Sequence, residues 1–567
     1  MSDVHADGGD SILASDAGET PAGAPVRRSA RSAPADWSKS FDESVYLQEN
    51  PDVATAIDQG MFRSGYAHYL KYGVQEGRRP GVPKNEARQT VIRLTAAVTE
   101  AASAVDVVCN LEAVGISPSG GIAVLGWVDD ASDPIDSVRI FGAHWRLTFD
   151  GARLGRSRRA DVEAALDRTA QHPYGFYGFM FAEGALPVSE DCRVELRLTS
   201  GRTKAFKCRP RLMDDTDLRD LVLGHVVTVQ HFGDPIVQAI SGLDRAAGQE
   251  LIRFNNHITA RITAAPYIER FGRSGASYDA SLIFCLYGKA EFLFLQAALL
   301  SGVEAMDRYE LVFVSNSPEL ADEILREARA SSRLYGLDIT VVILSGNAGF
   351  GAANNVAVKA ARSPRIVIVN PDVFPMTKDW GRRHLEIVET EPRNRRRLFG
   401  ASLYYDDGSL MHGGMYFDLD ASLSIENGRQ RLCQLLRVEH YGKGTPANLD
   451  VFNRVRPVPA VSGAFMSWDR SWFESLGGFT QDYVFGHYED ADLCLRSLEA
   501  GVAPWMQALK MWHLEGKGSS RLPVHEGGSI LNRWLFTGTW GETIADGLLG
   551  PAPERDLTPR RRAAAAE

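Results

Sequence analysis

A run of acidic residues stands at the start of a predicted helix near the C-terminal end of the chain. Glu489, Asp490 and Asp492 fall within four positions of one another. The apolar residues that follow recur at the spacing of one helix face: Ala491, Cys494, Leu495 and Leu498. Backbone N–H groups in a first helical turn stabilise an ionised carboxylate, and such a carboxylate can accept a proton from an alcohol. The alternative is that the acids only cap the helix.

Four short apolar runs lie upstream and alternate with helical patterns. They are rich in β-branched residues, as strands buried on both faces are, and they span 281–287, 309–315, 338–344 and 365–370. This order predicts βαβ units and a parallel sheet, in which ligands bind beyond the carboxyl ends of the strands. The polar residues at those ends are Tyr287, Ser315 and Asn316, Asn347 to Gly349, and Asn370 to Asp372.

Five pieces of this half of the chain, in their order, resemble one enzyme family. They are Leu286–Gly288, Val314–Pro318, Asn347–Asn354, Asn370–Val373, and a last group made of Gly463-Ala464, Gly477–Phe479, Glu489-Asp490 and His513. Each piece is common alone, but the ordered set resembles the inverting family-2 glycosyltransferases with a GT-A fold, over about 278–525. The Asn-Pro-Asp piece and the Asn347–Gly349 segment resemble the rhamnosyltransferase-like subgroup. The resemblance covers less than half of the chain.

Transfer of a sugar from a nucleotide diphosphate requires stabilisation of the leaving diphosphate. Mg²⁺ or Mn²⁺ does this as a Lewis acid and prefers oxygen ligands. By the resemblance, Asp372 corresponds to the second acid of the family's Asp-x-Asp, which contacts the metal. Asn370 stands at the first acid, where it removes a charge but can still hydrogen-bond ribose or phosphate. The alternative for Asn370–Asp372 is a simple strand-ending turn.

Two more groups are expected at the diphosphate. By the resemblance, His513 completes the metal site or touches the diphosphate, and Lys517 adds a positive charge. The alternative for His513 is a structural histidine whose hydrogen bonds are satisfied inside the fold.

The resemblance implies that Asp490 is the base that deprotonates the acceptor hydroxyl, with Glu489 orienting it or holding the acceptor. Donor-binding residues are expected at Tyr287, Asn316, Asn347, Gly349, Asn370 and Lys517. Inversion at the sugar carbon is implied by the family alone. The family often carries an Asp near the nucleobase of the donor, at the position where this chain has Ser315. Uridine, thymidine and guanosine donors therefore remain alternatives.

Composition excludes several other classes. The chain has 567 residues, 44% of them apolar, and a net charge of −10, which argues against a nucleic-acid partner. No run approaches the ~18 apolar residues of a membrane span. The N-terminus lacks the pattern of a signal peptide and the six cysteines lack metal-ligand spacing, so we expect a cytoplasmic protein. Arginine runs such as 393–397 are expected to be solvated, with peripheral contact at the inner membrane as an alternative.

The chain is predicted to have several domains. The boundaries are a disordered tail over 1–38, a small helical module and connecting helix over 39–104, an antiparallel β-sandwich over 105–213, a helical linker over 214–277, the GT-A domain over 278–550 and a flexible tail over 551–567. The sandwich is expected to dock a glycan acceptor or partner protein, with a purely structural role as the alternative. The aromatic candidates are Trp127, Trp145, Tyr174, Phe176 and Tyr177, most of which are expected in the core.

The sequence therefore predicts transfer of a sugar from a nucleotide-diphosphate donor to a hydroxyl of a glycan or lipid-linked acceptor. The resemblance further implies bacterial surface polysaccharide biosynthesis. Two alternatives remain: a sugar-nucleotide nucleotidyltransferase, for which the loop after the first strand offers only Gly288 and Lys289, and a non-catalytic sugar-binding assembly protein, favoured by Ser315 and Asn370.

Overall fold

Contacts divide the chain into two compact units, Met1–Arg93 and Leu94–Glu567. The computed structural model describes residues 43–58, 64–68, 98–100, 107–142, 144–167, 172–184, 191–228, 235–273, 275–426, 429–447, 449, 452, 454–517 and 523–549. The predicted tails over 1–38 and 551–567, and most of the predicted connecting helix, lie outside these residues. The predicted domain boundaries stay predictions.

The first unit is described over three short helices: α1 (Glu43–Glu49), α2 (Pro51–Asp58) and α3 (Gly65–His68). Pro51 begins α2, where its missing N–H is not needed. Tyr46 and Val53 are buried, and the Tyr46 hydroxyl lies 3.1 Å from His68 Nδ1. An aromatic ring and a few aliphatic side chains therefore form a small core.

Two five-stranded sheets face each other in the first part of the second unit. Their strands are β1 (Val98–Glu100), β2 (Cys109–Ile116), β3 (Gly121–Val128), β4 (Ile135–Phe141), β5 (Arg146–Asp150), β6 (Gly155–Ser157), β7 (Gly175–Phe181), β8 (Cys192–Leu198), β9 (Thr203–Cys208) and β10 (Arg211–Leu212), with α4 (Ala160–Ala165) between β6 and β7. The sheet orders are β1-β9-β8-β4-β5 and β10-β2-β3-β7-β6, antiparallel except for β10 beside β2. Alternating apolar residues of both sheets form a common core.

One sequence-based expectation differs from this region of the structure, and the set of docking candidates becomes smaller. Residues 98–100, predicted within a connecting helix, are a strand because they pair with β9, a tertiary contact that local pattern does not reveal. Tyr174, Phe176 and Tyr177 were docking candidates, but all three are buried. Burial in the sandwich core removes these rings from contact with a ligand.

Three helices follow the sandwich: α5 (Asp215–Thr228), α6 (Pro235–Gly242) and α7 (Gly248–Thr263), with a π-helical segment at Leu243–Ala247. The predicted helical linker ends differently, because Tyr267–Phe271 is a strand, β11, on the edge of the next sheet.

The large sheet forms the centre of the second unit. Its further strands are β12 (Ala280–Leu286), β13 (Tyr309–Ser315), β14 (Ile339–Ile343), β15 (Arg365–Val369), β16 (Val373–Pro375), β17 (Leu398–Tyr404), β18 (Leu410–His412), β21 (Arg456–Pro457), β22 (Phe465–Asp469) and β23 (Trp505–His513); β19 (Met415–Glu426) and β20 (Arg429–His440) form a separate two-stranded ribbon. The main order is β11-β14-β13-β12-β15-β22-β17-β23-β16. The predicted, mostly parallel sheet is instead mixed.

The parallel core consists of β14, β13, β12 and β15, the four strands expected from sequence. β22 runs antiparallel to both β15 and β17, and β11 runs antiparallel to β14. The chain moves outward from β12 to β13 and β14, then returns to place β15 on the other side of β12. In open α/β sheets ligands bind at such a reversal of strand order, which here lies at the carboxyl ends of β12 and β15; we call this region the crevice.

Helices cover the sheet and extend beyond it. They are α8 (Glu291–Leu300), α9 (Ala321–Tyr335), α10 (Phe350–Ala360), α11 (Trp380–Thr390), α12 (Arg393–Arg396), α13 (Arg470–Ser475), α14 (Glu489–Glu499) and α15 (Pro523–Leu549). The long α15 packs against α5 and β20. Within the described part of the chain, no helix has the length and apolar character needed to span a bilayer.

The sandwich contains a buried ion pair between Arg156 and Asp130. Arg156 donates two hydrogen bonds to buried Asp130, at 2.8 and 2.7 Å, and His172 Nε2 lies 2.7 Å from the same carboxylate. Although burial raises the pKa of Asp130, hydrogen bonds with His172 and Arg156 lower it to about 2. Asp130 is therefore a structural carboxylate.

We predict that Arg156→Leu lowers the free energy of unfolding by about 3–5 kcal/mol, because it leaves a buried charge without its cation. Urea unfolding at neutral pH measures the loss. The control is Arg158→Leu, which breaks a half-exposed pair with Glu163 and should cost only about 0–1 kcal/mol. Because the pKa of Asp130 is depressed, the wild-type advantage should fade as the pH falls from about 4 towards 2. Equal losses in the two variants would contradict the assignment.

Candidate functional site

The first predicted donor residue follows β12 at the crevice. Tyr287 is half-buried and its ring lies edge-on to His525, with centroids 5.7 Å apart. Burial raises the pKa of Tyr287, and a hydrogen bond with Asn347 opposes that shift. Tyr287 and Asn347, which follow different strands, therefore lie close together.

Asn316 holds the loop that follows β14. Its Oδ1 accepts a hydrogen bond from Ala348 N at 3.1 Å, and its Nδ2 donates to Gly349 O at 3.3 Å. Asn347 Oδ1 accepts from Gly349 N at 2.9 Å. Since the Asn316 amide is engaged with this loop, its effect on a donor would come through the loop's shape.

Gly349 brings this loop against the acidic run. Its φ of 82° lies in the left-handed region, and a Cβ there would come within 2.9 Å of Phe485 O. The next residue, Phe350, donates its backbone N–H to the same carbonyl. Only glycine allows this approach, so Gly349, which the sequence predicted as a donor-binding residue, docks the loop on residue 485 in the structure.

The acidic run follows a turn with unusual backbone. Phe485, His487 and Tyr488 have φ values of 62°, 84° and 76°, although none is glycine. Such residues carry backbone strain, which functional sites often contain. Tyr488 is the N-cap of α14, so Glu489 and Asp490 occupy its first turn, as predicted.

Asp490 is half-buried and held by a backbone amide. Its Oδ2 accepts a hydrogen bond from Gly463 N at 2.7 Å, and its Oδ1 accepts from Ala491 N at 2.8 Å. The adjacent Ala464 O accepts from Asn370 N at 3.0 Å. Backbone atoms of Gly463 and Ala464 thus connect the acidic run to the end of β15.

Glu489 is buried differently. It is 5% exposed, and its Oε2 has no hydrogen-bond partner among the described residues. Burial, and then the nearby charge of Asp490, hold the pKa of Glu489 well above its ordinary value. Glu489 is therefore a neutral carboxylic acid beside the Asp490 carboxylate.

The third acid of the run is structural. Asp492 accepts hydrogen bonds from Trp540 Nε1 at 2.9 Å and from Arg496 Nε at 2.8 Å, and it is buried. Both partners lie on helices, so Asp492 fastens α14 to α15.

Asp372, His513 and Lys517 form a second cluster. Asp372 is 2% exposed, and its Oδ1 lies 3.4 Å from His513 Nε2. Its Oδ2 accepts a hydrogen bond from Lys517 N at 3.1 Å. The register of β16 beside β23 pairs Val373 with His513, so the antiparallel ladder brings these groups together. Lys517 is exposed and contributes its backbone here.

The Asp372–His513 pair fits a divalent cation. His513 Nδ1 lies 2.8 Å from Met411 Sδ, which can only accept; in the tautomer that donates Nδ1–H to this sulfur, Nε2 presents its lone pair to Asp372. Two acceptors face each other unless a proton or a cation lies between them. Two ligands about 2.1 Å from one ion, at angles near 90–110°, are ~3.0–3.4 Å apart. Among the described residues no third His, Cys, Asp or Glu joins them, as suits an ion completed by phosphates and water.

Two residues that support the site were not identified from the sequence. Gln296 Nε2 donates to Pro371 O at 2.8 Å and Val373 O at 2.7 Å, and so fixes the backbone around Asp372. Lys289 Nζ donates to Lys517 O. Gln296 lies in an apolar helix, and nothing in the sequence indicated that its side chain is buried. Lys289 directly follows Tyr287-Gly288 at a strand end, so it could have been included among the predicted donor-site residues.

A pair of histidines adjoins both clusters. His412 Nδ1 lies 3.1 Å from His440 Nδ1, and His412 Nε2 accepts from Ser462 N at 3.4 Å. Burial lowers the pKa of His440, and the Asp490 carboxylate opposes that shift. Burial, then His440 and His513, hold the pKa of His412 well below its ordinary value. Both rings are therefore neutral near pH 7.

Comparisons with known proteins give the following likenesses. No protein-family model matches the chain. A curated relative, the uncharacterized protein y4gI of Sinorhizobium fredii, is 29% identical over 205 residues, which are 35% of this chain; the chain covers 21% of that relative's length.

Similar solved structures are glycosyltransferases. The mannosyltransferase PcManGT from Pyrobaculum calidifontis, in complex with GDP-Man and Mn²⁺, has a TM-score of 0.31 and 13% identity over 58% of this chain and 88% of its own. GalNAc-T7 with UDP, GalNAc and Mn²⁺ has a TM-score of 0.33 and 11% identity over 47% and 50%. A fragment of S. aureus TarS in complex with UDP-GlcNAc has a TM-score of 0.30 and 14% identity over 48% and 76%. Likeness at this level carries no argument, so fold and site rest on the geometry above.

We predict that Glu489→Gln stabilises the protein increasingly as the pH rises. Native Glu489 keeps its proton above about pH 4.3, where the unfolded chain loses it, so wild-type stability falls with rising pH. The amide removes this penalty. Melting temperatures of the two proteins should agree near pH 4 and diverge by pH 8. The control is Glu499→Gln, an exposed position at the end of the same helix, which should show no such divergence. Parallel curves for Glu489→Gln and wild type would refute a neutral Glu489.

Proposed function

We propose that this chain transfers a sugar from a nucleotide-diphosphate sugar to a hydroxyl of a glycan or lipid-linked acceptor. One observation carries the proposal. The carboxylate of Asp490 is held by Gly463 N, and the neighbouring Ala464 O is bonded to Asn370 N, two residues before Asp372. A fixed carboxylate and a candidate cation site therefore flank the crevice at the β12–β15 reversal.

Asp490 is proposed as the base. Its carboxylate lies half-buried in a first helical turn, where backbone N–H groups favour the charged form, so an acceptor hydroxyl can reach it and transfer a proton to it during attack. Glu489, neutral and buried beside it, is proposed to donate a hydrogen bond from its carboxylic acid, either to Asp490 or to the acceptor. One base is enough for a single displacement, which inverts the sugar carbon.

Asp372 and His513 are proposed to hold Mg²⁺ or Mn²⁺. When bound, a divalent cation stabilises the charge that develops on the leaving diphosphate. Asn370 is half-buried beside this site and offers its amide to ribose or phosphate. The backbone N–H of Lys517 donates a hydrogen bond to Asp372, so the exposed, positively charged side chain of Lys517 starts beside this site.

Tyr287 and Asn347 are proposed to contact the nucleotide end of the donor, since they meet at the crevice. Asn316 and Gly349 are proposed to shape the same loop. The sugar, the linkage and a role in bacterial surface polysaccharide biosynthesis extend the proposal, as does acceptor docking on the sandwich, for which Trp127 and Trp145 remain half-buried candidates.

Two other functions fit the chain less well. A nucleotidyltransferase needs a glycine-rich, basic loop after β12, and this chain offers only Gly288 and Lys289 there. A non-catalytic sugar-binding protein has no need of an Asp490 carboxylate held by backbone N–H groups beside a buried acid. A screen of nucleotide sugars that scores hydrolysis, transfer and nucleotide release separately distinguishes the three.

We predict that Asp490→Asn leaves donor binding nearly unchanged and lowers the transfer rate about 10²–10⁴-fold, because the amide cannot accept the proton. Calorimetric donor titration and turnover on one preparation measure both effects. The control is Asp482→Asn, a nearby carboxylate bonded to Asn256. That variant should keep its activity, and near-normal turnover in Asp490→Asn would remove Asp490 from the role of base.

We predict that chelator stops transfer and that Mn²⁺ or Mg²⁺ restores it. Asp372→Asn keeps the side-chain shape but removes the charge, so nucleoside-diphosphate affinity in Mn²⁺ should fall about tenfold or more, with little change in chelator. Titration under both conditions measures this. The control is Asp379→Asn, whose carboxylate bonds Thr377 and should leave affinity unchanged. Full activity in excess chelator would contradict the cation site.

A further inference from the structure

The C-terminal helix α15 contacts the acidic run along one stripe of its surface. The residues of the stripe are Gly528, Asn532, Phe536 and Trp540, spaced four apart. Side chains at this spacing lie on one face of a helix. No role was assigned to this helix from the sequence.

Residues of the stripe contact the turn before the acidic run, and then Asp492, in the order in which both segments run along the chain. A Cβ on Gly528 would come within 3.0 Å of the Phe485 ring, so the helix passes close to the start of the turn. The Phe536 ring lies 5.3 Å from that of Tyr488, and Trp540 Nε1 donates to Asp492. Successive turns of α15 therefore contact successive positions between residues 485 and 492.

Asn532 makes the densest set of contacts in the stripe. It is fully buried, and its Oδ1 accepts a hydrogen bond from Val484 N at 2.8 Å. Its Nδ2 donates to Val484 O at 2.9 Å, Gly486 O at 2.7 Å and His487 O at 3.2 Å. All the hydrogen-bonding groups of this amide are thus directed at the backbone that precedes Glu489.

That backbone requires outside support. Phe485, His487 and Tyr488 all adopt left-handed conformations that non-glycine residues disfavour, and such strain persists only where the surroundings impose it. The N-cap residue Tyr488 offers no side-chain cap to α14. Three carbonyls that converge on one amide would repel each other without its N–H groups.

We propose that α15 is a template for the acidic run and that Asn532 is a positioning residue for Asp490. Resting on the proposed function, this inference adds that the C-terminal helix is part of the catalytic machinery. Asn532 touches neither donor nor acceptor, and it acts by holding the turn in the strained form that presents the acid pair.

The test uses the full-length chain with Asn532→Ala and Trp540→Phe. The second variant keeps an aromatic side chain, although a smaller one, and loses the hydrogen bond to Asp492; it stays informative if the first folds poorly. The control is Ser467→Ala, which removes a different buried hydrogen bond, to His384 at 2.9 Å. Amide hydrogen exchange over 484–492 and steady-state kinetics with an accepted nucleotide sugar are measured on each protein.

For Asn532→Ala we expect faster exchange confined to 484–492 and a fall in kcat of about 10²-fold, with the donor KM little changed, because a misplaced catalytic group costs about that much. Trp540→Phe should show the same pattern to a smaller extent. Ser467→Ala should lower the melting temperature without either effect.

The inference is overturned if exchange over 484–492 stays at the wild-type rate in both stripe variants, or if it quickens while kcat matches that of Ser467→Ala. Absence of turnover in the wild type with every nucleotide sugar would instead contradict the proposed function. In that case the exchange rates alone decide whether Asn532 holds the turn.

Discussion

The close approach of Gly349 to Phe485 is the contact on which the candidate site depends. The loop after β14 and the turn before α14 come from distant parts of the chain, and they meet because residue 349 has no Cβ. The Phe485 carbonyl then accepts the Phe350 N–H at the start of α10. This junction sets the position of Asn347 on one side and of the acidic run on the other. A larger residue at 349 would separate the nucleotide side of the crevice from the proposed base.

Electrostatics give each buried acid a different state. Asp492 is paired with Arg496 and Trp540, whereas Glu489 has no cation and keeps its proton. Asp490 remains a half-buried carboxylate held by backbone N–H groups. Asp372 Oδ1 lies 3.4 Å from His513 Nε2, a separation that fits two ligands of one divalent cation. Four acids of similar sequence appearance thus differ through burial and partners, and two of them, Asp490 and Asp372, are the ones proposed as base and metal ligand.

Much of the crevice could be predicted because parallel strands have local signatures. β12 ends at Leu286 and β15 at Val369, directly before the predicted Tyr287 and Asn370. The antiparallel strands β17, β22 and β23 were not identified, since their pairing depends on contacts far apart in sequence. The edge strand β11 was missed because its exposed sequence, Tyr-Ile-Glu-Arg-Phe, lacks a buried strand's apolar run.

The support of the site was the least predictable part. Phe485, His487 and Tyr488 carry no sequence sign of left-handed backbone, because that conformation normally selects glycine or asparagine. Asn532 lies 43 residues after Glu489. Its role becomes visible only in the structure, where α15 packs against the turn that precedes α14. Catalytic candidates are visible in sequence through their chemistry, whereas the residues that hold them act through geometry.

The most direct test of this account is a crystal structure of the chain with a nucleoside diphosphate and Mn²⁺. The account predicts an anomalous manganese peak bound by Asp372 Oδ1 and His513 Nε2, with the diphosphate beside it and the nucleoside against Tyr287 at the carboxyl end of β12. A nucleotide bound elsewhere, or manganese absent from Asp372 and His513 while the nucleotide is bound, would contradict it.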